Sequence, residues 1–365
     1  MPRFITHDEA VSLLPLRVRK NGFLTSKTRA LFFLSFADAF RGLMEKNTKE
    51  IKKILVPDFY CPETLNVYKT YGNVVFYKTN QDLAVNIDAY IEAVHAHAPD
   101  VIIHYGFLGF PLQNDAIRSL LRKFPETIII EDFAHKILCE KNIDFAHPNH
   151  VYIDSVRKQT SLLGSHLICP RENIEAASFP KVNLYKLRCM LLRVIQEGVS
   201  TAAKLLQSGY LYQKSEPCFN SLDDLIGTNH KATRGGTLAK LLWDHLDFEK
   251  IAAHKKTLIH TYVSRLARIE HECFQVPSIP HENITYFPCI VSPTVRDKLI
   301  EYLEKKNIWI GSLWELPQYP ESELNKYLFE RVVVLPLTWK TSCEDAVRVC
   351  EEIRMFFKKF EKAAC

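Results

Sequence analysis

Residues 128–135 have the sequence IIIEDFAH, and residues 151–158 have the sequence VYIDSVRK. Each segment begins with a short apolar run, which predicts a strand buried on both faces. The first run ends in the carboxylates Glu131 and Asp132, and the second segment ends in Lys158. In a parallel sheet, ligands bind at the edge formed by the carboxyl ends of the strands. The two segments therefore predict a parallel sheet that carries Asp132 and Lys158 at its ligand-binding edge.

Strand-like and helix-like segments alternate on the amino-terminal side of these two segments. The predicted strands are near-continuously apolar and lie at 54–56, 74–77, 101–105 and 127–130. Helical patterns separate them at 63–71, 87–97 and 114–123. This order predicts an α/β fold with a mainly parallel sheet between layers of helices.

The second half of the chain has a different organisation. Residues 182–206 and 238–269 have helical patterns, and the Ser-, Asp-, Asn- and Gly-rich residues 213–236 predict a loop between them. After residue 285, strand, helix, strand and helix patterns follow one another, which predicts a small α+β unit. We therefore expect a large α/β domain at 1–240 and a small carboxyl-terminal α+β domain at 241–365.

Composition limits the classes of function. The chain has 365 residues, of which 47% are hydrophobic and 24% are charged, so it is long enough for two folded domains. Its formal charge of +5 and its lack of a Lys/Arg-rich run argue against nucleic acid as a partner. The 10 cysteines are scattered singly, as free thiols of a reducing compartment are. Because we find neither a signal peptide nor a membrane span, we expect a cytoplasmic protein.

The pair of Asp132 and Lys158 suits one cofactor chemistry. A lysine can bind the aldehyde of pyridoxal 5′-phosphate (PLP) covalently, and an aspartate beside the ring nitrogen keeps that nitrogen protonated. The neighbouring Arg157 would lower the pKa of the lysine. Taken singly, Asp132 is compatible with a helix cap and Lys158 with an ordinary surface lysine. We expect no metal site, because His95 and His97 lie two residues apart on a predicted helix and face different ways.

Six segments together resemble a known family. They are V-P-D-F-Y-C at 56–61, H-Y with a following glycine and proline at 104–111, E-D-F-A-H at 131–135, S-V-R-K at 155–158, G-T-N at 227–229 and V-L-P-L at 334–337. In this order they are similar to the motifs of the DegT/DnrJ/StrS group of nucleotide-sugar aminotransferases, which are PLP-dependent enzymes of fold type I. The resemblance runs from about Phe23 to the carboxyl terminus.

The resemblance implies a role for each matched position. Lys158 would hold the cofactor and move protons, and Asp132 would pair with the ring nitrogen. His135 would lie near the phenolic oxygen of the ring, and Ser155 would donate to the phosphate. Asn229 would reach the phosphate of the neighbouring subunit in a homodimer with shared active sites. Alternatives remain for three of them: a core histidine, a strand-end hydroxyl and an ordinary turn asparagine.

The phosphate site is expected at residues 25–31, as a segment that opens a helix and presents backbone N–H groups. Its candidate cofactor ligands are Ser26, Lys27 and Thr28. Lys27 stands where relatives usually have glycine, and Gly164 is followed by Ser165 rather than by a second glycine. The position that stacks on the ring falls on or near Cys61, with Tyr60 as the nearby aromatic alternative.

The resemblance implies a transaminase reaction. Glutamate would donate an amino group to PLP, and a nucleotide-linked keto sugar would then accept it. A PLP-dependent lyase, epimerase or dehydratase would use the same residues in contact with the cofactor, so the sequence leaves that alternative open. A third possibility is a PLP-binding relative with impaired catalysis and a partner role, which the departures at Lys27 and Cys61 keep open.

Overall fold

A computed structural model describes residues 4–6, 15–16, 28–47, 49–110, 115–136, 143–145, 147–170, 179–279, 284–320 and 323–364. Its strands are β1 (Ile5–Thr6), β2 (Thr28–Phe33), β3 (Lys53–Pro57), β4 (Asn73–Tyr77), β5 (Val101–Tyr105), β6 (Ile128–Phe133), β7 (His150–Asp154), β8 (Ser165–Pro170), β9 (Phe274–Gln275), β10 (Phe287–Val291), β11 (Ile308–Trp309), β12 (Gly311–Ser312) and β13 (Val332–Leu335).

The helices fall into three stretches of the chain. The first contains α1 (Phe36–Met44), α2 (Pro62–Lys69), α3 (Ile87–His97) and α4 (Asp115–Leu121). The second contains α5 (Leu184–Leu205), α6 (Gly209–Gln213), α7 (Glu216–Thr228), α8 (Thr237–Asp244) and α9 (Phe248–Leu266). The third contains α10 (Pro293–Glu304), α11 (Lys326–Phe329) and α12 (Cys343–Ala364).

A seven-stranded sheet forms the centre of the molecule, in the order β2-β8-β7-β6-β5-β3-β4. The five strands from β7 to β4 are parallel. Strand β8 is antiparallel to both of its neighbours, β7 and β2. Strand β2 therefore runs in the same direction as β7, and its carboxyl end lies at the same edge of the sheet. The predicted α/β class with a mainly parallel sheet is confirmed.

A second, four-stranded antiparallel sheet has the order β12-β13-β10-β9, and β1 pairs separately with β11. The inner strands β10 and β13 are buried at every position, with α10 and α12 in the same apolar core. No helix among the described residues is long and apolar enough to cross a membrane. The eight cysteines within those residues are free thiols.

Two sequence-based expectations were wrong. The predicted loop at 213–236 contains helix α7, because Phe219, Leu222 and Ile226 recur at helical spacing, whereas Asn220, Ser221 and Asp224 lie on its exposed side. The helix expected to open within 25–31 is not there, since residues from Thr28 onward form β2. The apolar run ALFFL at 30–34 supplies that strand, and the helix begins only after Ser35.

Candidate active site

A cavity lies at the edge where the parallel strands and β2 end. Its lining comes from the ends of β2, β3, β5, β6 and β7 and the segments that follow them. Helix α7 and one residue of the carboxyl-terminal part complete it. The lining residues are Ser35, Phe36, Ala37, Tyr60, Cys61, Glu63, Thr64, Val67, Tyr105, Asp132, Ala134, His135, Ser155, Arg157, Lys158, Asp223, Ile226, Gly227 and Trp314. The structure thus brings together Lys158, Asp132, His135, Ser155, Tyr60 and Cys61, which the sequence placed on three separate segments.

Lys158 lies in a single 3-10 turn, Val156–Lys158, directly after β7. Its backbone N–H donates to the carbonyl of Ser155 at 3.2 Å, and this bond closes the turn. Burial, and next the positive charge of Arg157, lower the pKa of the Lys158 amine. Arg157 is itself paired with Asp223 of α7, whose charge acts in the opposite direction on the lysine. The amine is therefore easier to deprotonate than that of an ordinary surface lysine.

Asp132 lies on the side of β6 that faces this cavity and is 7% exposed. Its carboxylate accepts hydrogen bonds from the Tyr60 hydroxyl and, at 2.8 Å, from the Ala134 N–H. Burial raises its pKa to about 6, against an ordinary value of 3.8, although both hydrogen bonds oppose that rise. A buried carboxylate of this kind is costly by itself, and a bound cation would stabilise its charged form.

Glu131, the neighbouring carboxylate, lies on the opposite side of β6, since side chains alternate along a strand. It is in a second cavity, where its Oε1 lies 3.1 Å from Nε2 of His150 and 3.8 Å from Nε2 of His104. Burial alone would raise the pKa of Glu131, but the two histidines and Lys136 hold it below its ordinary value. Glu131 therefore has histidines as its close partners, whereas Asp132, which also borders the second cavity, is the acid that lines the cavity of Lys158.

His135 is 5% exposed and lies in the wall of the cavity, against the rings of Tyr105, Tyr286 and Trp314. Its Nδ1 atom is buried and has no hydrogen-bond partner among the described residues. Burial, and then the charges of Lys158 and Arg157, hold the pKa of His135 well below its ordinary value, so the ring is neutral. A neutral imidazole that lacks a partner at one nitrogen is suited to a ligand atom.

The expected phosphate segment has to be corrected. Thr28 lies at the amino-terminal start of β2, at the opposite edge of the sheet, about 20 Å along the chain from the cavity. Ser26 and Lys27 lie outside the described residues. The amino-terminal ends of two helices line the cavity instead: that of α1, with Ser35 as its N-cap, and that of α2, with Cys61 as its N-cap. The Ser35 side chain accepts from the Asp38 N–H at 3.1 Å, and Phe36 and Ala37 line the cavity.

Tyr60 and Cys61 both line the cavity, but they have different surroundings. The Tyr60 hydroxyl is committed to Asp132 and lies 3.1 Å from the hydroxyl of Tyr68. Cys61 is the N-cap residue of α2, and its Sγ donates to Glu63 at 2.9 Å. Burial raises the pKa of the Cys61 thiol to about 12, so it is protonated at neutral pH. Neither the Tyr60–Asp132 contact nor the Cys61–Glu63 contact requires a bound cofactor ring.

Asn229 lies at the carboxyl end of α7, and its side-chain amide is 3.4 Å from Oδ1 of Asp38. The residue of this loop that lines the cavity of its own chain is Gly227. Ser155, by contrast, is buried in the cavity wall between Asp154 and the turn of Lys158.

Sequence reasoning missed Ser35, Asp223 and Trp314. For Ser35 a signal existed, because S-F-A-D at 35–38 has the spacing of a helix-capping box before an apolar run. Asp223 and Trp314 lie far from Lys158 in the sequence and follow no motif, so only the fold brings them to the cavity. The described residues contain no group of three His, Cys, Asp or Glu side chains that could hold a metal ion.

Comparison with known proteins gives a likeness of structure rather than of sequence. Neither a family model nor a curated protein matches the chain. PseC of Helicobacter pylori, an aminotransferase involved in the biosynthesis of pseudoaminic acid, has a similar structure, with a TM-score of 0.63, 12% identity and coverage of 98% of this chain and 100% of its own. DesV of S. venezuelae superimposes with a TM-score of 0.59, 16% identity and coverage of 90% and 84%.

A DegT DnrJ EryC1 StrS aminotransferase of Brucella abortus is a third similar structure, with a TM-score of 0.57, 16% identity and coverage of 91% and 86%. The likeness spans at least 90% of this chain in all three comparisons. The chain therefore has the fold of these aminotransferases.

Proposed function

We propose that this chain is a PLP-dependent aminotransferase. The observation that carries the proposal is the convergence of the Lys158 amine, the Asp132 carboxylate and the unpartnered Nδ1 of His135 on one cavity. Similar solved structures include sugar aminotransferases of Streptococcus pneumoniae and Micromonospora echinospora, which supports a sugar-like keto acceptor. We propose glutamate as the donor, a nucleotide-linked keto sugar as the acceptor and a homodimer in the cytoplasm as the working form.

The residues present suit this cofactor. Lys158 has the lowered pKa that an amine needs to attack an aldehyde. Asp132 would hold the ring nitrogen, and His135 Nδ1 would meet the phenolic oxygen. The first turn of α1 and the Ser155 hydroxyl would receive the phosphate. Bound there, the cofactor supplies an electron sink for the negative charge that develops on the α-carbon of the amino acid.

The chain's own groups would carry the proton transfers. Lys158 would hold the cofactor through Nζ, and its lowered pKa would let the same Nζ, when free, take the proton from the α-carbon of the amino acid and give it back in a later step. Arg157 favours the neutral amine by charge, and Asp223 restrains that effect. The Tyr60 hydroxyl holds the Asp132 carboxylate in one orientation, and the carboxylate held in this way would pair with the ring nitrogen of the cofactor.

The test begins with the visible absorbance spectrum of the purified protein after PLP is added. Borohydride reduction and peptide mapping should then label Lys158, and the Lys158→Arg variant should take no label. Addition of glutamate should convert the spectrum to that of the amine form, with release of 2-oxoglutarate. A label on another lysine would contradict the site, whereas a correct label without amine formation from any amino acid would favour the lyase, epimerase or dehydratase alternative.

A further inference from the structure

Helix α5 has its polar and apolar sides reversed. Its buried residues are mainly polar, namely Lys186, Cys189, Arg193, Gln196, Glu197, Ser200 and Ala203. Its exposed residues are almost all apolar, namely Leu184, Leu187, Arg188, Met190, Leu191, Val194, Ile195, Gly198 and Leu205. An ordinary surface helix of a monomer shows the opposite arrangement.

Specific hydrogen bonds hold α5 in this orientation. The Lys186 ammonium donates to the carbonyls of Lys181 and Arg234, each at 2.8 Å. The Arg193 guanidinium donates to the carbonyl of Ser161 at 2.9 Å and pairs with Glu197 at 2.8 Å. Rotation of the helix to bury its leucines would break these bonds and expose the carbonyls they satisfy. The outward position of the apolar face is therefore a built-in feature of the fold.

The exposed apolar surface is large. Leu191, Val194 and Leu205 are 60%, 68% and 79% exposed. Other exposed apolar residues lie directly beyond the two ends of α5, on α6 and on α8, namely Val182, Leu206, Tyr210, Leu238 and Leu241. Together these side chains expose on the order of 1,000 Å². The largest apolar patch of a typical monomer is about 300–600 Å².

We propose that the outer face of α5 is the interface between two copies of this chain. This inference names the surface used by the homodimer proposed above and rests on that proposal. The exposed area matches the roughly 800 Å² that each partner buries in a standard interface, and homodimer interfaces are the more apolar class. In a twofold dimer the middle of α5 would pack on its own copy, apolar face against apolar face.

The charge pattern favours a second copy over a lipid surface. Arg188 is the single charged residue among the exposed positions of α5. Helices that lie on membranes combine an apolar face with several lysines or arginines at its margins, which attract anionic lipids. The polar face of α5 is instead consumed by contacts within the chain.

The interface would also support the turn of the cofactor lysine. Arg193 of α5 binds the carbonyls of Thr160 and Ser161, which follow Lys158 by two and three residues. A partner packed on α5 would hold Arg193, and with it this turn. We therefore expect weaker binding of PLP by a chain that cannot dimerise.

The test measures oligomeric state and cofactor absorbance separately, in the full-length chain. By analytical ultracentrifugation over a dilution series, the wild type should be a dimer. Leu191→Arg with Val194→Arg should raise the dissociation constant at least about a hundredfold, because two cations would be buried without partners. Leu187→Ala with Leu191→Ala, which keeps helix propensity, should raise it about tenfold. Met355→Arg, at an exposed apolar residue of α12, is the matched control and should leave the dimer intact.

Three results would overturn the interface. The wild type could be monomeric at every concentration, or both α5 variants could dimerise as well as the Met355→Arg control. The wild type could also remain a monomer and bind phosphatidylcholine–phosphatidylglycerol vesicles through Leu191 and Val194, which would make the face a lipid-binding surface. A dimer that depends on α5 but takes up no PLP would support the interface and contradict the proposed function instead.

Discussion

At the scale of single residues, the cavity contains an acid and an amine, and burial disfavours the charged form of both. Asp132 and Lys158 are both shifted by burial, the acid towards a higher pKa and the amine towards a lower one. Opposed pKa shifts in one cleft are typical of functional sites, because burying titratable groups in this way costs stability. Both groups can therefore be probed by pH.

Asp132→Asn should abolish most transamination and yet stabilise the cofactor-free protein at neutral pH. A buried acid with a raised pKa binds more protons when folded, so its contribution to stability falls as pH rises between about 4 and 6. Asp132→Asn has no titrating group at this position, so its stability does not fall in this way. The difference between about 6 and 3.8 corresponds to a gain of up to about 3 kcal/mol in unfolding free energy above pH 6.

Urea unfolding of the cofactor-free wild type and of Asp132→Asn, at pH 4 and at pH 7.5, measures this gain. If wild type and Asp132→Asn differ in unfolding free energy by the same amount at pH 4 and at pH 7.5, folding does not raise the pKa of Asp132. Wild-type turnover by the variant would remove it from the proposed role.

Arg157 and Asp223 should tune the Lys158 amine in opposite directions. Arg157→Gln removes a nearby positive charge, so the pKa of Lys158 should rise and the pH profile of covalent PLP binding should move to higher pH. Asp223→Asn removes the opposing negative charge, so the same profile should move to lower pH. The rate of PLP uptake against pH, followed by absorbance, reports both. Shifts in the same direction for the two variants would contradict this electrostatic account.

At the scale of secondary-structure elements, the first turn of α1 is the element that the sequence misplaced. Ser35→Ala should cost about 1 kcal/mol of stability through the lost cap, and it should also weaken PLP affinity if this turn receives the phosphate. Asn86→Ala is the matched control, because Asn86 caps α3 in the same way and does not line the cavity. Equal PLP affinity in the two variants would exclude the α1 turn as the phosphate site.

At the scale of the whole molecule, the strands of the seven-stranded sheet all lie before residue 171 and those of the four-stranded sheet all lie after residue 273. We propose the domain boundary between residues 240 and 241, as the sequence suggested. The cavity sits where the two parts meet, since Trp314 of the carboxyl-terminal part lines it beside residues of the larger sheet.

A shared site makes a prediction about mixed dimers. If Asn229 reaches the phosphate of the partner subunit, a Lys158→Ala chain mixed with an Asn229→Ala chain should form heterodimers with one intact site. Transamination should then recover to about a quarter of the wild-type level, since half of the dimers are mixed and each has one working site. Mixing Lys158→Ala with Asp132→Asn is the control without recovery if those two residues serve the same subunit. If the first mixture shows no recovery of activity, Asn229 does not serve the site of the partner subunit and acts only within its own chain, where it contacts Asp38.

The sequence by itself determined the parallel sheet and the pairing of Asp132 with Lys158. Apolar runs that end in functional residues are local signals, and strand direction then places both residues at one edge. Tertiary structure alone decided the rest. Composition suggested a loop where α7 forms, because the packing of Leu222 and Ile226 outweighs the preference of the intervening polar residues. The helix expected to open within 25–31 begins only after Ser35, because strand pairing with β8 takes up residues 28–33. Asp223 and Trp314 reach the cavity only because distant parts of the chain pack together, which no local pattern records.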